Sequence, residues 1–140
     1  MLKPSKIIGD NYLHRWHLLP RNALFNIYLH KFMADDDDRA LHDHPWFSVS
    51  FLLRGRLDEI TPGKVGVIFK NQIREVPRFR PVFRRAKHAH RLKLIEGPAW
   101  TIFITGPRIR EWGFLCPKGW VHWREFTDET GLKTGAGCGD

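Results

Sequence analysis

Residues 41–55 read LHDHPWFSVSFLLRG, and the reading of this stretch decides the fold. Trp46 to Leu53 is dense in aromatic and aliphatic residues and is predicted to be a strand. Residues two apart on a strand point to one face. Carried through, this parity puts His42, His44, Trp46, Ser48, Ser50 and Leu52 on one face and Phe47, Val49, Phe51 and Leu53 on the other. Both faces are largely apolar, as expected inside a two-layer β domain. Two imidazoles on one face can hold a single divalent ion, in a pocket walled by Trp46 and small hydroxyl residues.

Working outward, short strand-like runs alternate with turn signals. Phe25 to Met33 alternates before the central run, and Gly55 is expected to end that run. Arg56 to Thr61, Lys64 to Phe69 and Gln72 to Val76 follow, with Pro62-Gly63 as a turn. Pro77 and Pro81 demote the stretch between them to loop or edge. His90 to Ile95 and Ala99 to Thr105 are expected as two strands joined by a turn at Glu96-Gly97-Pro98. Arg110 to Leu115 and Trp120 to Phe126 complete the series, while Tyr12 to Leu19 fits a strand or a helical turn. Regular short strands with turn punctuation predict an all-β sandwich or barrel. No repeat or linker divides residues 1–140, so a single domain is expected, with a barrel over about 20–126 and a polar flexible tail over 127–140.

With 140 residues, 42% hydrophobic and 27% charged, the chain can bury a core of its own. No run approaches the roughly 20 apolar residues of a membrane span. Residues 1–13 carry two lysines with no continuous apolar stretch behind them, which predicts no secretory signal, a cytoplasmic location and no membrane partner. Cys116 and Cys138 fit no CxxC pattern and are expected as reduced thiols, although a bond between them stays open. Asp35 to Asp38, followed by Arg39, reads as solvated loop.

The net charge of +8 is concentrated, because the segment 74–93 alone carries +7. Its Arg78-Phe79-Arg80 and Val82-Phe83-Arg84-Arg85 runs interleave cations with aromatics. Such a run can bind nucleic acid, draw a small anionic substrate toward the histidines, or form a plain solvated face. Arg91 and Arg84 are the candidate substrate clamps, since guanidinium pairs bidentately with carboxylate. Tyr28 and His30 share a face on the preceding strand, where either can line the pocket or pack at its rim. Of the six tryptophans, all but Trp46 are expected to fill the barrel core.

His42-Asp43-His44, then Ser48, then Gly55 resembles the first motif of the cupin superfamily, HxH followed by a glutamate and a glycine. Ser48 stands where that motif has its glutamate. The second cupin motif, PxGxxH, is degraded: Arg85 and Lys87 occupy the proline and glycine positions, and His88 competes with His90 as the last histidine. His90 is preferred because it opens the strand leading to Leu92 and Leu94. LHDHPW, AWTIFITGP and REWGF further resemble small cupin-like proteins of bacteria and their phages. The resemblance implies a double-stranded β-helix, or jelly roll, with one divalent transition metal held by His42, His44 and His90. Three imidazoles without a carboxylate imply a site like that of the thiol dioxygenases. Fe(II) is favoured, with Zn, Ni, Mn or Cu also compatible. Substrate contacts would fall to Arg91, Arg84, Tyr28 and Trp46. The function expected is that of a metal-dependent dioxygenase acting on a small anionic molecule. A non-catalytic metal-binding or ligand-binding module, nucleic-acid binding through 74–93, and a homodimer stay open.

Overall fold

The computed structural model describes residues 3–8, 12–35, 40–62, 71–117 and 119–138. Asp36 to Arg39 of the acidic run and the expected strand Lys64 to Phe69 lie outside the described residues.

Ten strands and one helical turn follow in order: β1 (Lys6–Ile8), β2 (Leu13–His17), β3 (Asn26–Phe32), β4 (Leu41–His42), β5 (Ser48–Thr61), β6 (Gln72–Glu75), β7 (Pro81–Arg84), β8 (Arg91–Thr105), β9 (Gly113–Cys116), β10 (Gly119–His122) and α1 (Trp123–Phe126). They form two antiparallel sheets. The larger runs β1-β2-β3-β8-β5-β6, with β7 also paired to β5, and the smaller runs β10-β9-β4. This is the all-β, double-stranded β-helix architecture.

Two expected turns are corrected. Gly55 does not end its strand, because β5 continues to Thr61 and pairs with β8 across successive bulges between Leu52 and Leu57. Gly55 has a φ of +83°, and a Cβ there would lie 2.7 Å from the Cα of Ala99 and from the carbonyl of Glu96. Glycine is needed to let the two strands touch, and the bulge bends β5 without breaking it. Glu96-Gly97-Pro98 likewise lies within the continuous strand β8. The stretch between Pro77 and Pro81 is loop, as expected, and Pro81 itself opens β7, as proline can at a strand's first residue. Tyr12 to Leu19 resolves to strand β2.

Alternation along these strands sorts the side chains. Tyr28, His30 and Phe32 on β3 are buried, as are Ala99, Thr101 and Thr105 on β8 and Ser48, Ser50 and Leu52 on β5. Tyr12, Leu13, Phe32, Leu52, Leu57, Val76 and Ala99 form the main core. The tryptophans do not fill it: none is fully buried, Trp120 is 44% exposed, and Trp16 stacks on Trp100 at 5.7 Å.

The end of the chain is also corrected. Cys116 on β9 is bonded to Cys138, so neither is a free thiol. Residues 127–138 are tied back rather than loose: Thr127 bridges Thr134, and the amides of Gly135 and Gly137 donate to the carbonyl of Phe126. Phe126 itself is buried and stacks on Phe114. Among the described residues, no helix is long and apolar enough to cross a membrane.

Candidate metal centre

His42 is the last residue of β4, and His44 follows it in the short link to β5. Asp43, between them, is buried and holds this link in place. Its carboxylate accepts the Gly113 amide at 2.7 Å and the Trp120 indole N–H at 3.0 Å, and it pairs with Arg110 at 3.0 Å. Arg110 also donates to the His44 carbonyl. His90 immediately precedes β8, and its backbone exchanges hydrogen bonds with His42 in both directions. The three rings consequently form a near-equilateral triangle, with centroids 5.1 Å (His42–His44), 5.2 Å (His42–His90) and 5.0 Å (His44–His90) apart.

One ring nitrogen from each of His42, His44 and His90 lies within 4.8 Å of those of the other two. A shared ion about 2.1 Å from each nitrogen separates any pair by at most about 4.2 Å. The rings thus stand at, or a small rotation from, coordinating distance. His90 Nδ1 donates to Glu59 Oε2 at 2.5 Å, leaving Nε2 as the nitrogen that can bind an ion. A ligand histidine oriented by a carboxylate through its other nitrogen is a recurring arrangement at metal centres. The donor set therefore fits a divalent metal.

Glu59 was not foreseen. It stands on β5 beyond the bulges, eleven positions past Ser48, and pairs in register with Leu92, two residues after His90. Arg84 Nε donates to the same oxygen at 2.5 Å, and His88 Nε2 at 3.3 Å. Burial works against its charge, but the histidine hydrogen bonds and the Arg84 guanidinium hold Glu59 well below the usual carboxylate range. Glu59, His88 and His90 form a second group compact enough for an ion. There, however, Arg84 already supplies the positive charge. His88 thus touches the carboxylate that orients His90. Ser48 is buried and is not part of the cavity wall, whereas Ser50 lines the cavity and accepts from Arg84 Nη1 at 2.8 Å.

Burial, reinforced by His42 and Arg84 and opposed by the Glu59 hydrogen bond, pushes His90 down to about 3. Burial and the neighbouring His90 and His42 also hold His44 well below 6.5. These two imidazoles are neutral, as ligation requires.

The triangle opens onto a cavity of about 650 Å³, with residues of the main core in its floor. Tyr28, Trp46 and Arg84 line it, along with His30. Arg91 does not: it alternates with Leu92, which does line the cavity, and so faces the opposite side of β8. Arg84, although in the wall, is committed to Glu59 and Ser50. Rings lead away from the centre in sequence: His44 stacks on Trp46 at 5.1 Å, Trp46 meets Phe103 at 5.5 Å, and Phe103 stacks on His30 at 5.0 Å and on Tyr28 at 6.4 Å.

No protein-family model and no curated protein matches this sequence. Solved structures do match its fold. DMSP lyase DddQ from Ruegeria pomeroyi superposes with a TM-score of 0.54 at 15% identity, covering 76% of this chain and 54% of that one. An uncharacterized conserved protein with a double-stranded β-helix domain from Klebsiella pneumoniae gives 0.55 at 8% identity, covering 76% and 86%. The Fe(II) form of HppE gives 0.56 at 15% identity, covering 74% and 55%. The chain spans about half the length of DddQ and of HppE. The fold is therefore a double-stranded β-helix, and it carries a histidine group able to hold a metal.

Proposed function

We propose that this protein is a metal-dependent enzyme of the cupin fold that acts on a small anionic molecule, with oxygenase chemistry at His42, His44 and His90. The observation that carries the reading is the carboxylate-oriented histidine triangle opening into a cavity large enough for a substrate. Two of the similar folds, DddQ and HppE, are described as a lyase and as an Fe(II) protein, which is compatible with chemistry at such a centre.

His42, His44 and His90 would hold the metal, and a divalent iron there would supply the oxygenase chemistry. In a dioxygenation both oxygen atoms enter the organic product, so the substrate itself supplies the electrons and no further reductant is needed. The chain's own groups do the rest. Glu59 and Asp43 fix the imidazoles, and Trp46 and Phe103 exclude water along one wall. Tyr28 lines the same cavity at the far end of that ring series.

The test is elemental analysis of protein purified without a polyhistidine tag. Wild type should carry about one transition metal per chain, and His44→Ala should lose it, because two imidazoles hold an ion far more weakly than three. Fe(II)-loaded wild type should also bind nitric oxide, giving the electron paramagnetic resonance signal of an iron with open positions. Equal metal in both proteins would end the proposal.

A second reading follows from the outer face of segment 74–93. Phe79 and Phe83 are 69% and 62% exposed among Arg78, Arg80 and Arg85, which are also exposed. Cations interleaved with bare rings suit single-stranded nucleic acid. A salt-dependent gel shift of an oligonucleotide would support this reading, and no shift at low salt would end it.

A further inference from the structure

Among the described residues, the far end of the cavity holds positive charge with no carboxylate in the wall to balance it. Lys6 on β1 and Arg15 on β2 are direct cross-strand partners. Like charges directly opposite each other destabilise a sheet. Both line the cavity, and so does Arg21 from the link that follows β2. Burial, reinforced by Arg15 and Arg21, depresses the Lys6 ammonium, and burial with a smaller contribution from Arg21 lowers Arg15. Among the described residues, no carboxylate pairs with any of them, and none stands anywhere in the cavity wall.

Arg15 is held in place despite lacking a counter-charge. Its Nε donates to His30 Nε2 at 2.9 Å, and its guanidinium lies 4.3 Å from the Tyr28 ring centroid. The Nε bond leaves the two terminal nitrogens of the fork to meet a ligand. A rigid guanidinium offered this way favours planar, bidentate recognition of an oxyanion. Lys6 and Arg15 opposite each other on one face of the β1–β2 pair, with Arg21 in the same cavity wall, favour a dianion over a monoanion. Between this end and His44 stand the rings of Tyr28, Phe103 and Trp46, a wall suited to an apolar or unsaturated body.

We infer that Lys6, Arg15 and Arg21 form a subsite for the phosphoryl group of a small phosphate ester whose flat, apolar body lies along Tyr28, Phe103 and Trp46 toward the histidines. The inference rests on the proposed enzyme reading only for what happens at the ligand's other end, since the subsite itself needs no metal.

The test is calorimetric titration of metal-free protein at low salt with inorganic phosphate, phenyl phosphate and acetate. Phenyl phosphate should bind more tightly than inorganic phosphate, and acetate at least about tenfold more weakly than either. Arg15→Gln and Lys6→Gln should each weaken phenyl phosphate by about tenfold or more, while Arg54→Gln, exposed and outside the cavity wall, should leave it unchanged. Ligand-free Lys6→Gln should also melt at a higher temperature than wild type, a readout available even if Arg15→Gln fails to fold. Equal affinity in wild type and Lys6→Gln, or an equal loss in Arg54→Gln, would reduce the effect to general surface charge and overturn the subsite. Acetate binding as tightly as phosphate would overturn the phosphoryl assignment, and inorganic phosphate binding as tightly as phenyl phosphate would overturn the ester. Metal content separates the two readings. A chain without metal that shows the Arg15 dependence keeps the subsite and loses the enzyme; a loaded chain without that dependence does the reverse.

Discussion

Glu59 accepts from His90, His88 and Arg84 at one carboxylate oxygen, so a single side chain couples a histidine of the triangle to a buried guanidinium. Glu59→Gln keeps the shape and removes the charge that orients His90. Metal affinity should fall about 10- to 100-fold, read by competition with a chelator. Unchanged affinity would mean that His90 is positioned by its backbone alone. At this scale the sequence was partly legible. His42 and His44 could be read because a two-residue spacing survives wherever the backbone is extended, even though β4 ends at His42 and β5 begins only at Ser48. Glu59 could not, because its approach to His90 depends on the bulges that reset the β5–β8 register. Its one local signal was an acid spaced two residues from Leu57 on an otherwise inward face. Arg91 misled for a related reason: adjacency to His90 in sequence puts it on the opposite face of the strand.

Strands β5 and β8 form the longest pairing in the molecule, and it is the bent middle of that pairing that carries Ser50 and Glu59 on one strand toward β7 and the histidines. Gly55 and Gly97-Pro98 looked like ends because glycine and proline usually punctuate strands. In a barrel they also mark where a strand must bend while its pairing continues. Gly55→Ala should therefore be costly. The new Cβ would meet backbone atoms of Ala99, Glu96 and Pro98, at 2.7–2.8 Å, and a φ of +83° disfavours any side chain. A loss of about 1–3 kcal/mol from the conformational strain alone is expected in urea unfolding, with more from the contacts. Stability equal to wild type would show that the bulge can relax.

Over the whole molecule, three imidazoles are held far below their ordinary range and stay uncharged. His30, His44 and His90 all bind protons less readily than at the ordinary 6.5, chiefly because of burial. As the pH falls below 6.5 the unfolded chain takes up protons that the folded chain refuses, so folding weakens progressively, for His90 down to about 3. Glu59 acts in the same direction below 4.5, since its folded form holds a proton less readily than the unfolded one. Each such group contributes up to about 1.4 kcal/mol per pH unit within its window. The melting temperature should be highest above pH 7 and fall steeply between 6.5 and 4. A flat profile over that range would contradict the burial of these rings. The Cys116–Cys138 bond closes a separation of 22 residues, and Cys138→Ser should cost about 3 kcal/mol by the loop-closure argument. Chemical denaturation would show it. Neither this bond nor the ordered chain end was legible, since a glycine-rich polar sequence carries no sign of a distant anchor.

That chain end also supplies Gly131, Leu132 and Thr134 to the cavity wall. The bond from Cys138 to Cys116 thus anchors that stretch of wall to β9, and a reduced sample is expected to hold it less firmly than an oxidised one.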